Sequence, residues 1–204
     1  MDDPKRPGYQ TKEELFAVNE KRIRRYIDGK VIPFLRLKPN PTCLDVGERN
    51  PRMEYLKTRL NLNVKQWDTE DLNFDTLNEK DIDYIFAFDV LEHIQDLLWV
   101  MKQLKNALAD DGSIYVNLPE NARWLWGKEH YFEVDRDHFI KWILNPLGLH
   151  VVRQRHIFFV ANWRAFFIGI RPLLRIFRGE STWRSMARSI FCWNFRIYEI
   201  KKDI

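Results

Sequence analysis

CLDVGERNP, residues 43–51, decides the fold. An apolar, strand-like run ends around Asp45 and Gly47, and Pro51 stands where a helix would begin. Proline suits a first helical turn because its missing N–H is one of the donors that would be unpaired there anyway. A strand feeding a helix in this way places backbone amides and a helix N-terminus at the carboxyl edge of a sheet, where open α/β folds bind ligands. Gly47 would let a ligand approach the backbone closely. Arg49 and Pro51, however, occupy the places where a glycine-rich nucleotide loop carries its second and third glycines. On these residues alone the stretch reads equally as a ligand loop with altered chemistry or as a plain tight turn.

Outward from this turn, strand and helix text alternate. RMEYLKTRL (52–60) has helical character, VKQWD (64–68) and IDYIFAF (82–88) read as strands, and IQDLLWVMKQLKNALADDG (94–112) reads as a helix closed by Gly112. SIYVNLP (113–119) is another strand, and RDHFIKWILNPLG (136–148) is a helix ended by Pro146 and Gly148. Two β-rich runs follow, HVVRQRHIFFVANW (150–163) and SIFCWNFRIYEIKK (189–202). The runs around Ile85 and Tyr115 are almost continuously apolar, as expected of a parallel sheet covered by helices on both faces. The fold class is therefore α/β, a Rossmann-like, mostly parallel sheet. Only 14 residues separate Trp67 from Ile82, room for one crossover of about 10–12. Six strands are expected, the last of them antiparallel.

A chain of 204 residues with 45% hydrophobic and 14% aromatic content can bury a core without disulfide or metal support. One domain is expected, with an N-terminal helical cap over 1–40 and a basic, aromatic insertion at 163–188 between the last two strands. The cap's helix begins at a capping box, Thr11 with Glu14. Cys43 and Cys192 sit in apolar runs without metal-ligand spacing and read as buried thiols of a reducing compartment. No signal peptide or membrane-spanning run of about 18 residues is present, so the expected location is cytoplasmic, or peripheral at a membrane.

Charge is unevenly placed. Residues 151–204 hold 11 Lys and Arg against 3 Asp and Glu, leaving the rest of the chain net negative. From Phe166 to Arg178, phenylalanines, leucines and Ile170 recur at helical spacing with Arg171, Arg175 and Arg178 along the flank. This stripe could lie in an anionic membrane interface, or it could be a lid or core helix that Pro172 shortens. Because the basic residues are interleaved with bulky aliphatic groups, nucleic acid is disfavoured as a partner.

Candidate site residues gather at strand ends. Asp68 closes the second strand, where an acid can accept both hydroxyls of a ribose; the alternative is a solvated acid in the run DTED. Asp89, Glu92 and His93, in FAFDVLEHI, lie just past the third strand at the same edge. Adjacent residues at a helix start more often form a cap and a packed ring than a metal site, so no metal is assigned. His130, in GKEHYFEVD, is the candidate base or acceptor-orienting group, or else a histidine that caps or packs its loop.

These motifs resemble those of the class I S-adenosylmethionine-dependent methyltransferases, especially the methyltransferase-domain family that includes ubiquinone-biosynthesis O-methyltransferases. LDVG is similar to the first cofactor motif, and residues 83–120, with Leu-Glu-His-Ile at their centre, resemble the later motifs. EHYFEVDRDHFIKWILNPLGLHVV resembles the segment that follows, so the likeness covers about residues 40–160. It implies a seven-strand Rossmann-like sheet, one strand of which the short connection after Trp67 would omit. It further implies S-adenosylmethionine as cofactor, contacts to it through Asp45, Gly47, Asp68 and Asp89, and a small-molecule, sugar, glycan or lipid-linked methyl acceptor. The Arg49 and Pro51 departures keep a second reading open, a non-catalytic scaffold that retains the fold.

Overall fold

The computed structural model describes residues 20–21, 23–67, 71–120, 136–160 and 192–203. Asp68, Thr11, His130 and the stripe from Phe166 to Arg178 lie outside the described residues.

Six strands form one sheet in the order β2-β1-β3-β4-β6-β5. They are β1 (Cys43–Val46), β2 (Val64–Trp67), β3 (Ile82–Phe88), β4 (Leu108–Glu120), β5 (Leu149–Val160) and β6 (Cys192–Lys202). β1 to β4 pair in parallel, and β6 runs antiparallel between β4 and β5. Among the described residues no strand lies between Trp67 and Ile82. Among the described residues the sheet thus has six strands, the number expected from the short connection, and not the seven that the resemblance implies.

Helix α1 (Pro51–Leu60) starts as the sequence suggests. Pro51 takes the first turn, and Asn50 is the N-cap, its side chain accepting from Met53 N at 2.9 Å. Its end is set by Asn61 in the left-handed conformation. Helix α2 (Leu97–Ala107) is capped by Asp96, which accepts from Trp99 N at 2.9 Å. The expected closure of this helix at Gly112 is corrected: it ends at Ala107, and β4 begins at Leu108. Ile82 pairs with Leu108 but Tyr84 with Ser113, so the intervening residues bulge out of the β3–β4 ladder. A Cβ on Gly112 would stand 2.9 Å from Asp83 O and 3.0 Å from Ile82 O. The glycine therefore serves the bulge, where two backbones approach, and not a helix cap.

Alternation along the strands divides the core. Leu44, Val46, Ile85, Ala87, Ile114 and Val116 face α2 and the helical segment Phe139–Leu144 on one side. Cys43, Tyr84, Phe86 and Tyr115 face α1 and the helical turns Ile27–Val31 and Ile32–Phe34 on the other. On that second side Tyr115 stacks with Phe86 and meets Phe34 edge-on. The carboxyl ends of β1, β3 and β4 emerge together next to the start of α1.

Candidate functional site

At the carboxyl end of β1 the strand alternation turns Asp45 to the α1 face, in step with Cys43. Asp45 is fully buried, and neither carboxylate oxygen has a hydrogen-bond partner among the described residues. Burial pushes its pKa up to about 7, opposed in part by the nearby Gln66 and Lys57. Gln66 approaches Asp45 but makes no geometrically sound hydrogen bond to it; its amide donates to Gly47 O at 2.5 Å instead.

Gly47 continues the β1–β2 ladder through its N–H, which donates to Trp67 O at 3.0 Å. Its φ of +91° lies in the region that favours glycine. A Cβ here would also come within 2.7 Å of Val90 Cγ2. Gly47 is therefore required by the turn itself, which the sequence could not distinguish from a requirement for ligand approach. Arg49 is exposed, so its bulk points to water.

Asp89 follows β3 with φ of +57°, a conformation that aspartate tolerates better than most residues. Two groups hold its carboxylate. Asn117, opposite Phe88 in the β3–β4 register, donates to one oxygen at 3.0 Å, and the Arg52 guanidinium pairs with the other. Arg52 projects from the first turn of α1, with its guanidinium 5.3 Å from the Tyr26 ring centre and 5.9 Å from that of Phe195. Just beyond, the single helical turn Leu91–His93 buries Glu92. Burial raises the Glu92 carboxyl above its usual range, while its own backbone, His93 and Arg52 oppose the shift.

The structure thus brings Asp45, Gly47 and Asp89 to one edge of the sheet and adds Arg52, Glu92, Gln66 and Asn117. Sequence reasoning missed Arg52, Gln66 and Asn117. The available signal for Asn117 was its place near the end of the apolar run 113–119, the strand that pairs with β3 and sets Asn117 opposite Phe88. Besides Asp45, Glu92 Oε2 and Asn117 Oδ1 are buried acceptors without a partner among the described residues. Such an acceptor-rich edge, with a single guanidinium across it, suits a ligand that brings hydroxyl or amine donors together with a carboxylate. An S-adenosyl amino acid carries all three. Among the described residues no group of three His, Cys, Asp or Glu side chains is arranged to hold a metal ion.

A cleft of about 620 Å³ opens at the opposite, amino edge of the sheet beside Lys38, Thr42, Leu62, Lys65 and Lys80. Two of its lysines are paired, Lys38 with Asp83 at 2.6 Å and Lys65 with Glu79 at 2.5 Å. It shares no residue with the carboxyl-edge site. Among the described residues no helix is long and apolar enough to cross a membrane.

Residues 28–161 match the family described as a methyltransferase domain. No curated protein matches the chain by sequence. Among solved structures, the fold is similar to phosphoethanolamine N-methyltransferase 2 of Haemonchus contortus, in complex with phosphomonomethylethanolamine and S-adenosylhomocysteine, at 12% identity and TM-score 0.59. That likeness covers 96% of this chain but only 59% of the Haemonchus chain. A SAM-dependent methyltransferase from Archaeoglobus fulgidus matches at 15% identity and TM-score 0.57, covering 91% of this chain and 94% of its own. The methyltransferase in a complex with the Haloferax volcanii Trm112 activator matches at 11% identity and TM-score 0.60, with 93% of each chain covered. At these identities the structural likenesses concern the fold.

Proposed function

This chain belongs to the methyltransferase-domain family, and we propose that it uses S-adenosylmethionine to methylate a small-molecule, sugar, glycan or lipid-linked acceptor. The observation that carries this reading is the unsatisfied, fully buried Asp45 carboxylate at the carboxyl edge of β1, next to Gly47 and Asp89. A buried acid without a partner is expensive to keep unless something donates to it, and a bound cofactor amine or hydroxyl would do so.

When bound, the cofactor supplies a methyl group already activated by its sulfonium. The protein's part is then alignment of acceptor, methyl carbon and sulfur. Gly47 and the start of α1 would floor the site, Asp89 and Asn117 would fix its far wall, and Asp68 would receive the ribose hydroxyls. His130 is the proposed base for a hydroxyl acceptor, taking its proton as the methyl group transfers.

Titration with S-adenosylhomocysteine in a calorimeter tests the reading. Saturable binding at one site per chain is expected. If no heat of binding develops with folded protein, the chain is a scaffold that has kept the fold without the cofactor.

A further inference from the structure

Part of the first turn of α1 is closed to an anion. Pro51 has no N–H, Met53 N is taken by Asn50 Oδ1 at 2.9 Å, and Glu54 N is taken by Asn50 O at 3.1 Å. In glycine-rich loops these amides and the helix terminus receive the ligand's negative group. Here a side-chain cation can share that role. Arg49 is exposed, and Lys57 is engaged with Glu54 and Gln66 at 3.0 and 3.4 Å.

Arg52 is placed differently. Its guanidinium crosses from α1 to Asp89 and lies against Tyr26 and Phe195, at the same edge as the unsatisfied Asp45 carboxylate and Asn117 Oδ1. With its side chain 33% exposed it is neither sealed in the core nor free in solvent. A guanidinium presents five N–H donors in a planar fork, so it can serve Asp89 and a second carboxylate together.

We propose that Arg52 binds the amino-acid carboxylate of the cofactor, adding a side-chain cation where Pro51 lacks an N–H and the Asn50 side chain occupies Met53 N. The inference rests on the S-adenosylmethionine reading above. In this arrangement Asp89 and the Tyr26 and Phe195 rings position the guanidinium before the ligand arrives. The site then distinguishes the complete cofactor from its nucleoside fragment by one charge pair.

Two ligands separate the possibilities: S-adenosylhomocysteine, which carries the carboxylate, and 5′-methylthioadenosine, the same nucleoside without the amino-acid part. Calorimetry of the parent and Arg52→Gln should show a roughly ten- to hundredfold loss of S-adenosylhomocysteine affinity, the scale of a charged hydrogen bond. 5′-Methylthioadenosine should bind both proteins equally and so report an intact site. Arg52→Lys should recover part of the loss. If Arg52→Gln is poorly folded because Asp89 loses its partner, Arg52→Lys, which keeps a cation beside Asp89, carries the test and should show a smaller loss confined to S-adenosylhomocysteine. Equal S-adenosylhomocysteine binding by folded parent and variant overturns the Arg52 assignment and leaves the cofactor reading standing. Equal losses for both ligands also overturn it. A parent that binds neither ligand overturns the cofactor reading itself.

Discussion

Asp45 couples the site to stability through its proton. An aspartate in an unfolded chain titrates near 3.9, whereas burial holds this one at about 7 in the folded protein. Below about pH 4 both states keep the proton and Asp45 has no effect. Between about pH 4 and pH 7 the unfolded chain gives it up while the folded chain retains it, so stability falls as pH rises. Above about pH 7 the loss is complete, of order 4 kcal/mol for a gap of about three pKa units. Asp45→Asn should therefore leave Tm almost unchanged at pH 4 and raise it at pH 8, in the absence of ligand. Parallel Tm profiles for parent and variant would remove Asp45 as the source. The D-x-G spacing made Asp45 and Gly47 readable as candidates, but not this burial. Burial follows from the alternation that turns Asp45 to the face on which Cys43, Met53 and Leu56 cluster. Arg52 was less legible still. An arginine in a first helical turn normally faces water, and nothing near it in sequence announces a partner 37 residues away.

At the scale of elements, three neighbouring strands share one buried polar junction. Arg153 on β5 pairs with Glu199 on β6, and Ser113 on β4 donates to Glu199 at 3.2 Å. Arg153 also donates to Phe34 O at 2.9 Å and lies 4.7 Å from the Phe34 ring centre, tying the N-terminal helical turns to the sheet. Glu199 is only 4% exposed, so Arg153→Met leaves a carboxylate that water cannot reach. About 3 kcal/mol of destabilisation is expected in urea unfolding, with much of it restored in Arg153→Met/Glu199→Gln. Equal losses in the single and double variants would show that the Phe34 contact, not the ion pair, carries the effect. Strand runs were well marked in the sequence because β-branched and aromatic residues crowd them, and β3 falls where its apolar run lies. The end of α2 was not, since Leu104 and Leu108 continue a helical spacing while the backbone has already joined β4. What decides there is the approach of Gly112 to β3, a contact across strands that no local pattern records.

For the molecule as a whole, the parallel strands β1 to β4 point their carboxyl ends toward one edge, and the antiparallel β6 brings Phe195 to the same edge beside Arg52. Among the described residues no strand lies between β2 and β3, and β1, β3 and β4 carry Asp45, Asp89 and Asn117 to that edge. The proposed cofactor site lies at the carboxyl edge and not in the lysine-lined cleft at the amino edge. Amide hydrogen exchange followed with and without S-adenosylhomocysteine tests it most directly, because each amide reports its own surroundings. Slowed exchange over residues 45–54 and 88–94, with residues 37–43 and 60–65 unchanged, is the predicted result. Protection of the amino-edge residues in their place, or of neither group under saturating ligand, would contradict it.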